Sequence, residues 1–170
     1  LSTQMSDDTI LRPFSWSDVP AITRIYRHYV EHTAITFDTE APDEAGIAEK
    51  YAGLMKLGHP VIIAEREGRT IGYAYASFYR PRAAYRFTCE DSIYLDPAEK
   101  GRGVGTRLLT ALLEQSRAHG FKQMLAVITA DTANSIAIHE KFGFERVGYY
   151  RSVGLKFDRW HDIVHLQKAL

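Results

Sequence analysis

The run Lys100-Gly101-Arg102-Gly103-Val104-Gly105-Thr106 has the composition of an anion cradle. Glycines at alternate positions let backbone N–H groups surround a bound group, and two cations stand among them. Ahead of the run, Asp91-Ser92-Ile93-Tyr94-Leu95 reads as a strand closed by Asp96-Pro97. Beyond it, Leu108, Leu109, Leu112 and Leu113 recur at helical spacing up to His119-Gly120. A helix that opens inside the glycine run aims the positive end of its dipole at the same place, and a pyrophosphate fits there. A nucleoside triphosphate loop is excluded, because no Lys-Ser or Lys-Thr pair closes the run. The spacing G-x-G-x-G also departs from the dinucleotide fingerprint G-x-G-x-x-G. The alternative is a solvated turn whose glycines only satisfy geometry.

Glu90 lies five residues before Leu95, roughly 17 Å upstream along an extended strand. A carboxylate there can serve as general base toward an amine, which with a pKa of ~8 is mostly protonated at neutral pH. The alternative is a plain charge pair with Arg80, Arg82 or Arg86. Strand alternation points the neighbouring Cys89 to the opposite face, where it reads as a small buried residue rather than a nucleophile. The pairs His28/His32 and His161/His165 come without a cysteine or carboxylate cluster at ligand spacing, so no metal is expected.

The elements that must position these groups follow from periodicity and turn chemistry. Ile10-Leu11-Arg12 begins a strand, and Ser17-Asp18 ahead of Val19, Ile22, Ile25, Tyr26 and Tyr29 reads as a capped amphipathic helix. A second helix is expected from Asp43 to Leu57, ending near Gly58. Residues 61–65 and 70–76 form a hairpin around Glu67-Gly68-Arg69. A long strand is expected from Tyr85 to Leu95, then the glycine loop and its helix, a strand through Val127, a helix capped by Asn134 and ended by Gly143, and two strands through Val147 and Val164. The order is βααβββαβαββ. It predicts an α/β (α+β) fold with a mixed, mostly antiparallel sheet flanked by helices.

At 170 residues the chain is expected to form a single domain over residues 5–170. Leu1-Ser2-Thr3-Gln4, ahead of Met5, reads as a remnant foreign to the fold. Acidic and basic side chains balance at 21 each, and no basic stripe interleaved with aromatics occurs, so nucleic acid is not an expected partner. No apolar run approaches the ~20 residues that span a bilayer, so no membrane partner is expected. One cysteine permits no internal disulfide, in keeping with a cytoplasmic location.

The segment from Asp91 to Leu113 resembles the acyl-coenzyme A binding motif of the GCN5-related N-acetyltransferases, whose loop reads Q/R-x-x-G-x-G/A. Lys100 is the one departure, a point charge in place of the planar fork of arginine. The block Ala133-Asn134-Ser135-Ile136-Ala137-Ile138-His139-Glu140-Lys141-Phe142-Gly143-Phe144 resembles that family's asparagine-led helix ending in Gly-Phe. Within the family, Thr88-Cys89-Glu90-Asp91-Ser92-Ile93-Tyr94, Arg82-x-x-Tyr85, Ile35-Thr36-Phe37-Asp38-Thr39-Glu40 and Trp160-His161-Asp162 are similar to the phosphinothricin and methionine sulfoximine acetyltransferases. The likeness runs from about Leu11 to Leu166.

The resemblance implies an acyl-CoA N-acyltransferase fold and acetyl-CoA as cosubstrate. It assigns Glu90 as base, and His139, where the wider family has tyrosine, as the acid that protonates the departing thiolate. It gives coenzyme contacts to Ile93, Tyr94, Leu95, to Lys100, Gly101, Arg102, Gly103, Val104, Gly105 and Thr106, and more weakly to Asn134 and Lys141. Arg82, with Arg80 as deputy, would hold the acceptor's carboxylate, with Phe37 and Tyr85 shaping its pocket. A homodimer with sites near the interface is implied as well. The expected reaction is acetylation of the α-amine of a small amino acid analogue: phosphinothricin, methionine sulfoximine or methionine sulfone. An acetyltransferase acting on a protein or peptide amine and a non-catalytic acyl-CoA sensor are the alternatives.

Overall fold

The computed structural model describes residues 8–170; residues 1–4, read as a foreign remnant, lie outside them. The elements are β1 (Ile10–Pro13), α1 (Val19–His32), α2 (Glu44–Lys56), β2 (Val61–Arg66), β3 (Arg69–Phe78), β4 (Thr88–Leu95), α3 (Val104–His119), β5 (Gln123–Thr129), α4 (Ala133–Lys141), β6 (Glu145–Lys156) and β7 (Arg159–Ala169). They occur in the expected order. The strands form one sheet, β1-β2-β3-β4-β5-β7-β6, in which β4 and β5 are parallel and every other neighbouring pair is antiparallel.

Alternation along the central strands builds two cores. On one face Ile63, Tyr73 and Tyr75 meet Ile22, Ile25, Tyr29, Ile47 and Tyr51 of α1 and α2. On the other, Ile62, Ala74, Ala76, Cys89, Met124 and Ala126 meet Leu108, Leu109 and Leu112 of α3. Small residues of β3 let α3 sit close, while its tyrosines fill the wider space beneath α1 and α2.

Helix boundaries follow local chemistry, with three departures from expectation. Asp43 starts α2 by accepting from Gly46 N–H at 2.8 Å, and Gly120 ends α3 in the left-handed region at φ 112°. Asp18 does precede α1, but its side chain turns backward. It accepts from both terminal nitrogens of Arg12 (2.8 and 2.7 Å), from Ser15 N–H (2.8 Å) and from Thr70 Oγ1 (2.9 Å). Asn134 does not cap α4. Thr132, whose N–H closes a turn onto Thr129 O at 2.9 Å, takes that position and leaves Asn134 inside the first turn. The strand expected from Tyr85 begins only at Thr88. The pairing with β3 ends at Phe78–Cys89, and upstream Ala83–Tyr85 fold instead into a 3₁₀ turn with Tyr85 N–H bonded to Arg82 O at 2.9 Å.

Burial alone would raise the Asp18 carboxyl, but Arg12, Ser15 and Thr70 together hold it below the usual carboxylate range. Its stabilising effect is therefore full above the unfolded-state pKa and is lost as pH falls through the lower folded value. Asp18→Asn is expected to lower unfolding free energy by about 1.5–3 kcal/mol near neutral pH. In urea titrations the gap from wild type should narrow as the medium is acidified.

Candidate active site

Strands β4 and β5 run side by side for only three residues, with Thr88, Cys89 and Glu90 opposite Gln123, Met124 and Leu125. Downstream they part: β5 stays paired with β7 as far as Thr129–Ile163, and β4 stays paired with β3 as far as Leu95–Gly72. Asp96 N–H donates to Ile71 O at 2.8 Å, and Tyr79 N–H to Thr88 O at 3.2 Å. Hydrogen-bonded pairs alternate in an antiparallel ladder, so Ser92 and Tyr94 spend their main-chain groups on β3. Asp91, Ile93 and Leu95 turn theirs toward the gap. The Leu95 carbonyl is taken by Tyr29 Oη at 2.5 Å. The Ile93 N–H and C=O remain on an open strand edge, able to bind an extended chain as an added strand would.

A cavity of about 280 Å³ occupies the gap, walled by five consecutive residues of β4, Glu90 to Tyr94, and by Val127–Thr129 of β5. Consecutive residues can share a wall because the opening lies in the plane of the sheet and is reached from both faces. Glu90 comes from the face of α1 and α2, and Asp91 from the face of α3 and α4. Burial, reinforced by Asp91, raises the Glu90 carboxyl above its ordinary value, while Arg80 and Lys50 oppose the shift. Across the cavity, His139 of α4 is 5% exposed, with Nε2 2.6 Å from Asp91 Oδ2 and Nδ1 2.7 Å from Ser135 O. Burial by itself would discharge the imidazole. Asp91 and the Ser135 carbonyl outweigh that and raise it. Cys89 is buried, and burial pushes its thiol up to about 12.

The glycine loop stands at the end of β4. Gly101 (φ 82°) and Gly103 (φ 76°) occupy the left-handed region, and Gly103 is the residue on which α3 begins. Gly105 has no such conformation, and a Cβ there would meet Leu95 at an ordinary 3.7 Å. The first helical bond runs from Arg107 N–H to Gly103 O, which leaves the N–H groups of Val104, Gly105 and Thr106 pointing out of the helix end. Lys100 Nζ lies 5.4 Å from the centre of the Tyr29 ring, and Arg102 Nη1 lies 4.0 Å from Glu99. The loop therefore presents backbone donors and two cations together, as an anion site requires.

Residues 33–38 close the cavity from the side of α1. Thr129 Oγ1 donates to Ala34 O (2.6 Å), the buried Lys156 Nζ donates to Thr36 O (2.8 Å), and Tyr26 Oη bonds Thr36 Oγ1 (2.9 Å) and Asp38. Phe37 lies against Gly154 of β6 so closely that a Cβ there would overlap its ring.

Of the residues singled out from the sequence, Phe37, Glu90, Ile93, Tyr94 and His139 line this one cavity. Asn134 lines an adjoining cavity with Thr33, Asp131 and Thr132, and Lys141 is exposed farther along α4. Arg80, Arg82 and Tyr85 lie on the exposed segment between β3 and β4, outside the cavity wall; of the two arginines, Arg80 is the one whose charge acts on Glu90. For Asp91, Ser135, Thr36, Thr129 and Lys156 no individual role was legible in the sequence. Among the described residues, no group of three or more His, Cys, Asp or Glu is placed to hold a metal ion.

Residues 22–144 match the acetyltransferase (GNAT) family. The chain is 42% identical over 155 residues to a phosphinothricin N-acetyltransferase of Alcaligenes faecalis, covering 90% of this chain and 78% of that one. It is 36% identical over 154 residues to an L-methionine sulfoximine/L-methionine sulfone acetyltransferase of Salmonella typhimurium, covering 91% and 90%. The structure superposes with a TM-score of 0.94 on a phosphinothricin acetyltransferase from Sinorhizobium meliloti in complex with acetyl-CoA, at 41% identity over 96% of this chain and 89% of that one. The chain belongs to the acetyltransferase (GNAT) family and is an acetyl-CoA-dependent N-acetyltransferase.

The close approach of Phe37 and Gly154 is open to direct test. Gly154→Ala is expected to cost about 1–3 kcal/mol through overpacking, lowering Tm by roughly 2–4 °C per kcal/mol. In a Phe37→Ala background the same substitution should be near neutral, and calorimetry of the four proteins gives the coupling.

Proposed function

We propose that the enzyme moves the acetyl group of acetyl-CoA onto the α-amine of a small amino acid analogue such as phosphinothricin, methionine sulfoximine or methionine sulfone. The observation that carries this reading is the cavity at the parting of β4 and β5, where Glu90 and His139 meet from opposite faces beside the Ile93 edge. The relatives named above carry those compounds in their names, which supports a small-molecule acceptor.

In this scheme the N–H groups of Val104, Gly105 and Thr106, with Lys100, Arg102 and the turn at Gly101 and Gly103, hold the coenzyme's pyrophosphate. The backbone at Ile93, Tyr94 and Leu95 guides the arm, and Asn134 and Lys141 contact the coenzyme from α4. Phe37 and Tyr85 shape the acceptor pocket, and Arg80 and Arg82 attract its carboxylate. Glu90 takes the proton as the amine nitrogen attacks the thioester carbon, and the Ile93 N–H stabilises the oxyanion. Collapse of the tetrahedral adduct breaks the C–S bond, and the sulfur leaves with the electron pair and receives a proton from His139. Holding both substrates in one geometry removes the need for a covalent enzyme intermediate, and no step calls on a metal.

A homodimer is part of the proposal. Strand β6 and the turn to β7 expose Val147, Tyr149, Val153, Leu155, Phe157 and Trp160, each at least half accessible, which is a patch of the kind that interfaces cover. A cytoplasmic location accords with one free thiol; among the described residues no helix is long and apolar enough to cross a membrane.

Glu90→Gln is expected to lower kcat by about 100-fold or more while leaving acetyl-CoA affinity unchanged. Thiol release across a panel of free amino acids, their analogues and a peptide amine checks the acceptor class, and turnover of the peptide alone would reject the assignment. Because the Glu90 carboxyl is raised, the acid limb of kcat/KM should fall above the ordinary glutamate value. Sedimentation is expected to show a dimer that Val153→Asp with Leu155→Asp converts to monomer.

A further inference from the structure

The surroundings of His139 fix more than its position. Nδ1 faces the Ser135 carbonyl, which can only accept, so that nitrogen carries a hydrogen. Nε2 faces the Asp91 carboxylate, which when ionised can also only accept, so that nitrogen carries one too. Both side chains are nearly closed to solvent, at 6% and 5% exposure. Each acceptor is anchored, one in the helix itself and the other on β4.

The neighbours leave Asp91 as the charge that acts on the ring. On β4, Glu90 is directed to the opposite face, and Cys89 is a neutral thiol at ordinary pH. Thr129 of β5 and Ile163 of β7 bring no charge, and the Phe144 ring stands nearly perpendicular to the imidazole with the ring centres 4.9 Å apart. Glu140 and Lys141, the next residues on α4, are exposed.

We propose that Asp91 is a positioning residue for acetyl transfer, holding His139 as an imidazolium; as charge builds on the departing coenzyme sulfur, the Nε2 hydrogen bond passes from Asp91 Oδ2 to the sulfur and the proton follows it. This deepens the function proposed above and rests on it. The chemistry needs two opposite protonation states at one pH: Glu90 ionised to accept the amine's proton, and an acid still charged when the thiolate leaves. An unassisted imidazole is mostly neutral above pH ~6.5, where a free amine is only beginning to accumulate. Asp91 extends the charged range of His139 upward, so the two ranges overlap. The balance is complete: the amine's proton ends on Glu90 and the Nε2 proton on sulfur, leaving neutral imidazole beside ionised Asp91. Glu90 then releases a proton to solvent and His139 regains one.

The wild-type protein without substrates supplies the first test, by ¹⁵N NMR of imidazole nitrogens with His139 assigned from the signal lost in His139→Gln. Both His139 nitrogens should show the protonated signature at pH 7.5. In Asp91→Asn the ionisation should move down by about 1–3 pH units. The alkaline limb of kcat should move down with it, while acetyl-CoA affinity is retained. A neutral His139 in the wild type overturns the proposal, as does an alkaline limb that stays in place in Asp91→Asn. Should that variant not fold, the wild-type titration still decides. If the NMR signature is present but no amine on the panel releases thiol, the functional reading has failed and the imidazolium pair stands.

Discussion

The site depends on β4 losing one neighbour while keeping the other. A strand inside a sheet spends its N–H and C=O groups on both sides, and no ligand reaches its edge. Beyond Glu90, β5 follows β7 and β4 follows β3, so half the main-chain groups between Asp91 and Leu95 face a gap. The gap supplies a polar edge for an extended ligand and a passage through the plane of the sheet. It also explains why the two faces can cooperate: alternation, which normally separates Glu90 from Asp91, here sends them into one opening from opposite sides. The helical layers hold the strands in this state, with α3 packed on one face and α1 and α2 on the other.

Electrostatics follow from that geometry. Glu90 and Asp91 are adjacent carboxyl groups whose surroundings differ. Asp91 meets a buried imidazole, whereas Glu90 looks toward the more distant charges of Arg80 and Lys50. One carboxylate is committed to a partner and the other is left available for a proton. Two acidic residues adjacent in sequence thus acquire different surroundings from the face of the strand each occupies.

Much of this was legible in the residues. Period and turn chemistry gave the order of the elements, and glycines at 101, 103 and 120 marked positions that do adopt positive φ. Glu90 was recognisable from its distance to the loop, a quantity that an extended strand fixes. The failures have physical causes too. Tyr85 has a strand-like side chain but sits in a 3₁₀ turn that pairs with no strand, and propensity carries no information about a missing neighbour. Asn134 is a good capping residue two positions inside the helix, where a turn formed at Thr129–Thr132 had already set the start. Asp91 and Lys156 received no individual role because their meaning lies in contacts across 48 and 120 residues. Resemblance pointed to the segment 35–40, yet the bonds that pin it belong to β5, β6 and α1.

Those bonds set an order on the making of the molecule. The phosphate loop, β4, His139 and the strand that parts from β4 all lie upstream of β6. The segment carrying Phe37, although synthesised early, waits for Lys156 to reach the Thr36 carbonyl and for Gly154 to come beneath the ring. A ribosome-bound chain that has emerged through α4 therefore carries the glycine loop, β4 and His139, while the cavity wall at Phe37 still lacks two of its supports. The wall of the cavity on this side is completed only when the closing hairpin docks.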